Sequence, residues 1–242
     1  MTYTPLPATD RVILISGANR GIGFAIAERL YQDGYKLSLG ARRPENLAPL
    51  ISKMEKGRVS THQYDAAKVE TARAWVESAA KQFGRIDGLV NNAGIYLGFT
   101  VENEDEAALD EMWLINTKGP LRLTRAAFPH LKASGAGRVI NIVSLSGKRV
   151  YDADHTGYAM SKFATMALTH AVRYSGWEHG IRSTAICPGM VATDMTAEVE
   201  PAAREQMISP AAIATLVATV LSLPNTASVV EIPVNCRLEH NF

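Results

Sequence analysis

The sequence predicts an α/β fold in which one β-sheet is covered by helices on both faces. Two observations carry this prediction: short runs rich in β-branched residues alternate with longer helical patterns, and a glycine cluster follows the first of these runs. Because parallel strands need crossover connections, strict alternation favours right-handed strand–helix–strand units. We therefore expect a doubly wound, mainly parallel sheet of seven strands, with a ligand beyond their carboxyl ends.

The predicted strands are short apolar runs that end at turn residues. In chain order they are RVILIS (11–16), YKLSLG (35–40), RVSTHQY (58–64), DGLVNN (87–92), GRVINIVS (137–144), RSTAICPG (182–189) and SVVEIPVN (228–235). Helical patterns occupy most of the intervals, at 22–31, 44–54, 68–83, 105–133, 156–177 and 210–223. The longest apolar segment, 211–223, is too short to span a bilayer and predicts a buried helix. Since no repeat or low-complexity linker interrupts this order, we expect a single domain over residues 1–242.

Composition limits the classes of function. Of 242 residues, 47% are hydrophobic and 20% are charged, which is enough apolar material for a folded core. Twenty-five basic residues balance 24 acidic ones, so nucleic acid and anionic membrane are poor partners and a small molecule is expected. Two cysteines, Cys187 and Cys236, argue against a disulfide framework or a metal cluster. The first residues lack the pattern of a secretory signal, so we expect a cytoplasmic protein.

A glycine cluster follows the first predicted strand and opens the first predicted helix. Gly17 permits a tight turn, Gly21 lets the backbone approach a phosphate, and Gly23 allows the helix to pack closely. The helix N-terminus adds free N–H groups and a partial positive charge. The spacing is G-x-x-x-G-x-G, which differs from the common G-x-G-x-x-G fingerprint. The cluster nevertheless predicts a ligand that carries a diphosphate.

Four further motifs follow this glycine cluster in order. They are NNAG (91–94), SLSG (144–147), YAMSK (158–162) and PGMVATDM (188–195). With this set the sequence resembles the short-chain dehydrogenase/reductase family over nearly the whole chain. The resemblance implies a Rossmann-like fold, a nicotinamide dinucleotide cofactor, and hydride transfer between a secondary alcohol and a ketone. It also implies a homo-oligomer, either a tetramer or a dimer.

The resemblance assigns catalysis to Asn116, Ser144, Tyr158 and Lys162. Tyr158 and Lys162 are four residues apart on a predicted helix, so their side chains emerge on one face. A nearby ammonium favours phenolate and is expected to bring a tyrosine, whose pKa is ordinarily about 10, towards useful acid–base strength. Ser144 is expected to hold the substrate oxygen, with Ser146 as the alternative. The family role of Asn116 is support of a water path to the lysine.

The resemblance also implies cofactor contacts at the glycine loop and at the ends of later strands. They are Gly17, Asn19, Arg20, Gly21, Ile22, Gly23, Arg42, Asp65, Asn91, Ala93, Gly94, Tyr158, Lys162, Pro188, Gly189, Val191 and Thr193. Asp65 matches an aspartate that contacts adenine, and Asn91 matches an asparagine that stabilises the central strand. Thr193 is expected to reach the carboxamide or the diphosphate.

Charge at the end of the second predicted strand favours NADP(H) as the cofactor. A site for NAD(H) usually places an acid on the ribose 2′-OH about twenty residues past the glycines, where Ala41 stands. Arg42 follows, and Arg20 lies inside the glycine loop, so two guanidinium groups can bracket a 2′-phosphate. The nearest acids along the chain, Asp33 and Glu45, belong to a turn and a helix start. We therefore expect NADP(H), with NAD(H) as the alternative.

The motifs do not specify the substrate. We expect its walls to come from Ile95 and Tyr96 and from segments 147–155 and 190–195. Lys148 and Arg149 raise the hypothesis of an acidic substrate, with a solvated loop as the alternative. The predicted function is an NADP(H)-dependent carbonyl reductase or hydroxy-compound dehydrogenase. The alternatives are a non-catalytic NADPH-binding sensor, a 3-oxoacyl-type reductase, or a sugar-nucleotide epimerase or dehydratase, which would need a longer chain.

Overall fold

The computed structural model describes residues 4–238, and its seven strands form one sheet. The strands are β1 (Val12–Ser16), β2 (Lys36–Ala41), β3 (Val59–Gln63), β4 (Gly88–Asn91), β5 (Arg138–Ile142), β6 (Arg182–Pro188) and β7 (Glu231–Val234). Their order across the sheet is β3-β2-β1-β4-β5-β6-β7, and each neighbouring pair is parallel. The strand order switches between β1 and β4, where a ligand crevice forms in such sheets. The predicted Rossmann-like, doubly wound fold is confirmed.

Helices occupy the connections between strands. They are α1 (Gly21–Gln32), α2 (Ala48–Ile51), α3 (Val69–Phe83), α4 (Ala107–Met112), α5 (Gly119–Ala133), α6 (Thr156–Gly176), α7 (Pro201–Arg204) and α8 (Pro210–Ser222). Short 3₁₀ turns occur at Pro44–Leu47, Leu145–Gly147, Trp177–His179 and Asp194–Thr196. Between residues 4 and 238, none of the helices is both long and apolar enough to cross a membrane.

Two predicted helices differ from the structure. The helix predicted at 44–54 is a 3₁₀ turn from Pro44 to Leu47 followed by the single turn of α2. The helix predicted at 105–133 is divided by a π-helical turn, Trp113–Lys118, which separates α4 from α5. A π-turn has one extra residue per hydrogen-bonded loop, so it changes the direction of the side chains that follow it.

The core lies in two layers, one on each face of the sheet. Ile13 and Ile15 of β1 face the layer that contains α1 and α8, whereas Val12 and Leu14 face the layer with α3 and α5. Alternate residues of a strand point to opposite faces, so residues 12–15 of β1 all have to be apolar. Because β1 is buried on both faces, the position of its carboxyl end is fixed, and the glycine loop of the site begins there.

Candidate active site

The loop between β1 and α1 is shaped by its three glycines. Gly17 has φ +67° and Gly21 has φ +55°, the left-handed conformation that favours glycine. A Cβ atom on Gly23 would lie 2.3 Å from the carbonyl oxygen of Gly17 and 2.5 Å from Nδ2 of Asn92. Among the described residues no side chain caps α1, so its first N–H groups are available to an anion.

Two polar residues that sequence reasoning missed join this loop to the end of β4. The Ser16 Oγ atom accepts hydrogen bonds from the backbone N–H groups of Asn92 and Ala93, each at 3.0 Å. The Asn92 Nδ2 atom donates to the carbonyl oxygens of Ser16 at 3.0 Å and Gly17 at 3.1 Å. The sequence does show a polar residue at the end of each of these two strands. The two strand ends come together only in the folded sheet, so the sequence alone does not show that the residues meet.

Asn91 lies inside the fold below the site. Its Nδ2 atom donates to Oγ1 of Thr124 at 3.0 Å and to Oδ1 of Asn141 at 2.8 Å. Asn141 in turn donates from Nδ2 to Oγ1 of Thr169 at 2.8 Å. Both amide hydrogens of Asn91 are therefore used within the protein. This arrangement agrees with the strand-stabilising role that the resemblance implies for Asn91.

The side chains of Ser144 and Tyr158 interact near the carboxyl end of β5, and Ser144 acts to lower the pKa of the phenol. Ser144 has φ +151° and ψ +161°, a backbone conformation that costs about 1–3 kcal/mol in a residue other than glycine. The Ser144 Oγ atom also accepts from the backbone N–H of Ser146 at 3.0 Å. Of the two candidate serines, Ser144 is thus the one whose side chain meets Tyr158, and Ser146 is buried.

Burial controls the protonation of the tyrosine and the lysine. It raises the pKa of the Tyr158 phenol to about 12, and Ser144 offsets this only in part. The Lys162 Nζ atom lies 5.4 Å from the centroid of the Tyr158 ring and donates to the carbonyl oxygen of Ile142 at 3.0 Å. Burial lowers the pKa of Lys162 to about 8. Burial is the largest cause of the raised pKa of Tyr158, and Lys162 is not among the causes of that shift, so the expected lowering by Lys162 stays a prediction.

Asn116 lies in the middle of the π-helical turn and is almost completely buried. Its Nδ2 atom donates to the carbonyl oxygen of Ile95 at 2.9 Å and to Oγ of Ser161 at 3.0 Å. Its Oδ1 atom accepts from the backbone N–H of Ile95 at 2.9 Å. The backbone carbonyl of Asn116 accepts from Oγ1 of Thr165 at 2.8 Å. Asn116 therefore fixes the segment after NNAG against α6, and its part in a water path stays a prediction.

Gly94 lies where the chain passes between Asn116 and Lys162. A Cβ atom on Gly94 would lie 3.2 Å from Oδ1 of Asn116 and 3.6 Å from Nζ of Lys162. The fold thus brings the four predicted catalytic residues to the ends of β4 and β5, although they come from three separate segments.

The two arginines proposed for a 2′-phosphate are both exposed. Arg42 follows β2, whose last residue, Ala41, is buried. Arg20 places Nη1 3.3 Å from Oδ2 of Asp194, and both side chains are 66% exposed. Folding therefore brings Asp194, an acid distant along the chain, beside Arg20.

The remaining predicted cofactor residues lie at strand ends and in the loop after β6. The Thr193 side chain accepts from the backbone N–H of Thr196, and its methyl group would lie 3.3 Å from a Cβ atom on Gly21. The Asp65 Oδ1 atom accepts from the backbone N–H of Ala67 at 3.1 Å. Asn19 and Ile22 lie in the loop and first turn of α1, Pro188 ends β6, and Gly189 and Val191 follow it.

Lys148 is already paired with a carboxylate. Its Nζ atom lies 2.5 Å from Oε2 of Glu231, and His170 places Nε2 3.3 Å from Oε1 of the same side chain. The hydrogen bond with Glu231 raises the pKa of Lys148. The Arg149 guanidinium lies 5.3 Å from the centroid of the Tyr151 ring. This pairing argues against recognition of an acidic substrate by Lys148.

In the part of the chain that the structure describes, no group of three or more His, Cys, Asp or Glu side chains is placed to hold a metal ion. Cys187 is a buried free thiol in β6, and Cys236 is a partly buried free thiol after β7.

Comparisons with known proteins point to one family. A sequence-family profile described as short chain dehydrogenase matches residues 11–204. An agropine synthesis reductase of Rhizobium rhizogenes is 43% identical over 229 residues, which cover 94% of this chain and 53% of that protein. This chain therefore spans about half the length of that relative.

Two solved structures with similar folds are complexes with NADP-type molecules. An alcohol dehydrogenase from the archaeon Thermococcus sibiricus, complexed with 5-hydroxy-NADP, has a TM-score of 0.84 and 30% identity, covering 95% of this chain and 99% of that one. A short chain dehydrogenase from Burkholderia cenocepacia in complex with NADP has a TM-score of 0.87 and 27% identity, covering 96% of this chain and 98% of that one.

Proposed function

We propose that this chain, which belongs to the short-chain dehydrogenase/reductase family, is an NADP(H)-dependent oxidoreductase that interconverts a secondary alcohol and a ketone. The observation that carries the proposal is the meeting of the Ser144 and Tyr158 side chains, with the Lys162 Nζ atom 5.4 Å from the centroid of the tyrosine ring. Two neighbouring hydroxyl groups can both donate to one carbonyl oxygen, which polarises the carbonyl group towards reduction.

Tyr158 is proposed as the proton donor in the reduction. Since burial raises its pKa to about 12, the phenol keeps its proton at neutral pH. An alkoxide is more basic than a phenolate, so the proton leaves Tyr158 Oη for the substrate oxygen as that oxygen gains negative charge. Ser144 donates a second hydrogen bond to the same oxygen. Lys162, protonated below its pKa of about 8, then stabilises the phenolate by its charge.

NADP(H) is the proposed cofactor, with NAD(H) as the alternative. The uncapped first turn of α1 and the left-handed glycines Gly17 and Gly21 suit a diphosphate, and Arg20 and Arg42 suit a 2′-phosphate. When bound, the nicotinamide supplies or accepts the hydride. The NADP-type ligands named for two structural neighbours support this choice. The name of the Rhizobium rhizogenes relative, a reductase, supports the reductive direction.

We also propose a homo-oligomer, a dimer or a tetramer, of a single dinucleotide-binding and catalytic domain. Large apolar side chains are exposed on the π-helical turn, α5 and α6: Trp113, Leu121, Met160 and Phe163. Burial of such a surface between subunits would remove it from water. The two free thiols support a reducing compartment such as the cytoplasm.

The test is oxidation of NADPH with a panel of ketones, 3-oxo acids and aldehydes, repeated with Tyr158→Phe. The variant is expected to lose a factor of about 10²–10⁴ in turnover, because it has no proton to donate, and to keep its NADPH affinity in a fluorescence titration. Tyr174→Phe, on an exposed tyrosine of the same helix, is the matched control. Near-normal turnover by Tyr158→Phe would contradict the role of Tyr158 as the proton donor. Tight NADPH binding without turnover of any carbonyl favours the non-catalytic sensor.

A further inference from the structure

A wall of aromatic and acidic side chains stands beside Tyr158, and we propose that it selects carbonyl substrates that carry hydrogen-bond donors, either hydroxyl groups or an ammonium. This inference rests on the function proposed above and names the substrate class of the same site. The residues of this acceptor wall are Tyr96, Tyr151, Asp152, Asp154 and His155.

The rings of the wall form a continuous surface that starts at the reacting phenol. The Tyr96 ring meets the Tyr158 ring edge-on, with centroids 5.5 Å apart and planes at 86°. His155 is stacked on Tyr96 at 4.8 Å, and Tyr151 meets His155 edge-on at 5.4 Å. A substrate whose carbonyl lies at Tyr158 therefore extends its carbon chain along these rings, against which C–H groups can pack.

The side-chain donors of Tyr96 and His155 that face the two aspartates are already used within the wall. The Tyr96 hydroxyl donates to Oδ2 of Asp154. The Nδ1 atom of His155 lies 2.6 Å from Oδ1 of Asp152, and because its partner is a carboxylate, this nitrogen carries the hydrogen. The backbone N–H of His155 donates to the same oxygen at 3.1 Å.

Acceptor capacity remains on both acids. A carboxylate offers about four lone-pair positions, and these internal hydrogen bonds leave positions open on Asp152 and on Asp154. The wall therefore offers acceptors to a substrate, and its natural complement is a donor.

The position of Asp154 is set by the chain segment that follows Tyr96. A Cβ atom on Gly98 would lie 2.7 Å from Oδ1 of Asp154, so the carboxylate rests directly against that backbone. The backbone N–H of Phe99 donates to the carbonyl oxygen of Asp154 at 3.0 Å. The acid is thus held in place by two segments before any substrate arrives, which reduces the ordering that binding requires.

The charges of the wall disfavour acidic substrates. Asp152 and Asp154 contact His155 and Tyr96, the two rings next to Tyr158, and the hydrogen bond with His155 lowers the pKa of Asp152. Lys148, the lysine in the loop after Ser144, is neutralised by Glu231. Beside Tyr96 and His155 a substrate carboxylate would meet two acids, whereas a hydroxyl or an ammonium would meet two acceptors. The Arg149 guanidinium lies at another ring of the wall, 5.3 Å from the centroid of Tyr151.

The experiment compares four ketones of similar size with the unaltered protein and NADPH. They are 4-hydroxybutan-2-one, 4-aminobutan-2-one as its ammonium, pentan-2-one, which lacks a donor, and 3-oxobutanoate, which is acidic. We expect kcat/KM for the alcohol or the ammonium to exceed that of pentan-2-one by about tenfold or more, and 3-oxobutanoate to be the poorest substrate. Whichever of 4-hydroxybutan-2-one and 4-aminobutan-2-one has the higher kcat/KM shows whether the wall prefers a hydroxyl group or an ammonium.

Three variants connect this preference to the wall. Asp154→Asn and Asp152→Asn are each expected to reduce the donor-to-pentan-2-one ratio by about tenfold and to improve 3-oxobutanoate relative to pentan-2-one. Tyr96→Phe keeps the ring and the carboxylate of Asp154, so the ratio is expected to persist. Glu104→Gln removes an exposed acid of the segment after Tyr96 and serves as the matched control.

Two results separate failure of this inference from failure of the proposed function. The acceptor wall alone is overturned if all four ketones are reduced with equal kcat/KM. It is also overturned if the donor-to-pentan-2-one ratio of kcat/KM is unchanged in both aspartate variants while NADPH still binds. No turnover of any ketone, with NADPH still bound, contradicts the proposed reduction and this inference with it.

Discussion

The Nη1 atom of Arg20 lies 3.3 Å from Oδ2 of Asp194, so an ion pair joins the glycine loop to the segment after β6. Both side chains are largely exposed, and a pair of this kind contributes little to the stability of the fold. Its consequence concerns the ligand, because the same guanidinium is proposed to bind the 2′-phosphate of NADP(H). Asp194 and that phosphate then compete for Arg20.

The variant Asp194→Asn is expected to bind NADPH about two- to fivefold more tightly, because an exposed ion pair that competes for Arg20 is worth no more than about 1 kcal/mol. Fluorescence titration at low and high salt measures the effect, which should shrink as salt rises. Asp33→Asn, which removes the acid paired with Arg29 at the other end of α1, is the control. Weaker binding by Asp194→Asn would show that the acid supports the cofactor site.

The double variant Ala41→Asp with Arg42→Gln is expected to shift preference from NADPH towards NADH. The new acid repels the 2′-phosphate and accepts from a 2′-OH, and loss of one charge-assisted contact lowers NADPH affinity by roughly ten- to a hundredfold. The ratio of kcat/KM for the two cofactors measures the shift. Arg43→Gln, at the next exposed arginine, is the control. If the unaltered protein already prefers NADH, the choice of NADP(H) is wrong.

The buried Lys162 predicts a stability effect that depends on pH. Its pKa is about 8 in the fold against an ordinary value of 10.5, so between these values the unfolded chain binds more protons than the folded one. The contribution of Lys162 to the free energy of unfolding therefore rises with pH between these two values, by about 3 kcal/mol in all. Lys162→Met is expected to be more stable than the unaltered protein at about pH 7, with a smaller difference at about pH 10.

Urea unfolding of both proteins at the two pH values measures this difference directly. Lys81→Met, at an exposed lysine of α3, is the control and should show no such pH dependence. A constant difference between Lys162→Met and the unaltered protein across the window would contradict a lowered pKa for Lys162.

Gly23→Ala is expected to destabilise the fold by about 1–3 kcal/mol and to weaken NADPH binding more than tenfold. The added Cβ atom would overlap the carbonyl oxygen of Gly17, so the loop has to move away from α1. Thermal unfolding and NADPH titration report the two effects. Gly57→Ala is the control, because its φ of +92° also strains alanine but nothing lies within 4 Å of its Cβ. Normal NADPH binding by Gly23→Ala would contradict the requirement for glycine at position 23.

Local patterns in the sequence determined the order and type of most elements. A β-branched run or a helical period depends on residues a few positions apart, so the seven strands were predicted from the chain alone. Their order across the sheet, and with it the switch between β1 and β4, was decided by the fold. The π-helical turn at Asn116 was not predictable in this way. It accompanies the contacts of Asn116 with Ile95 and Ser161, which lie in other segments.

For the site, the sequence by itself determined which residue types are present and at which strand ends they lie, because motif spacing is a local property. Only the tertiary structure decided their surroundings. The ion pair of Arg20 with Asp194, the Tyr96 ring against Tyr158, and the raised pKa of that phenol all arise from segments far apart in the chain. The hydration and the electrostatic surroundings of a side chain depend on what packs around it, and spacing along the sequence does not determine which distant segments come into contact.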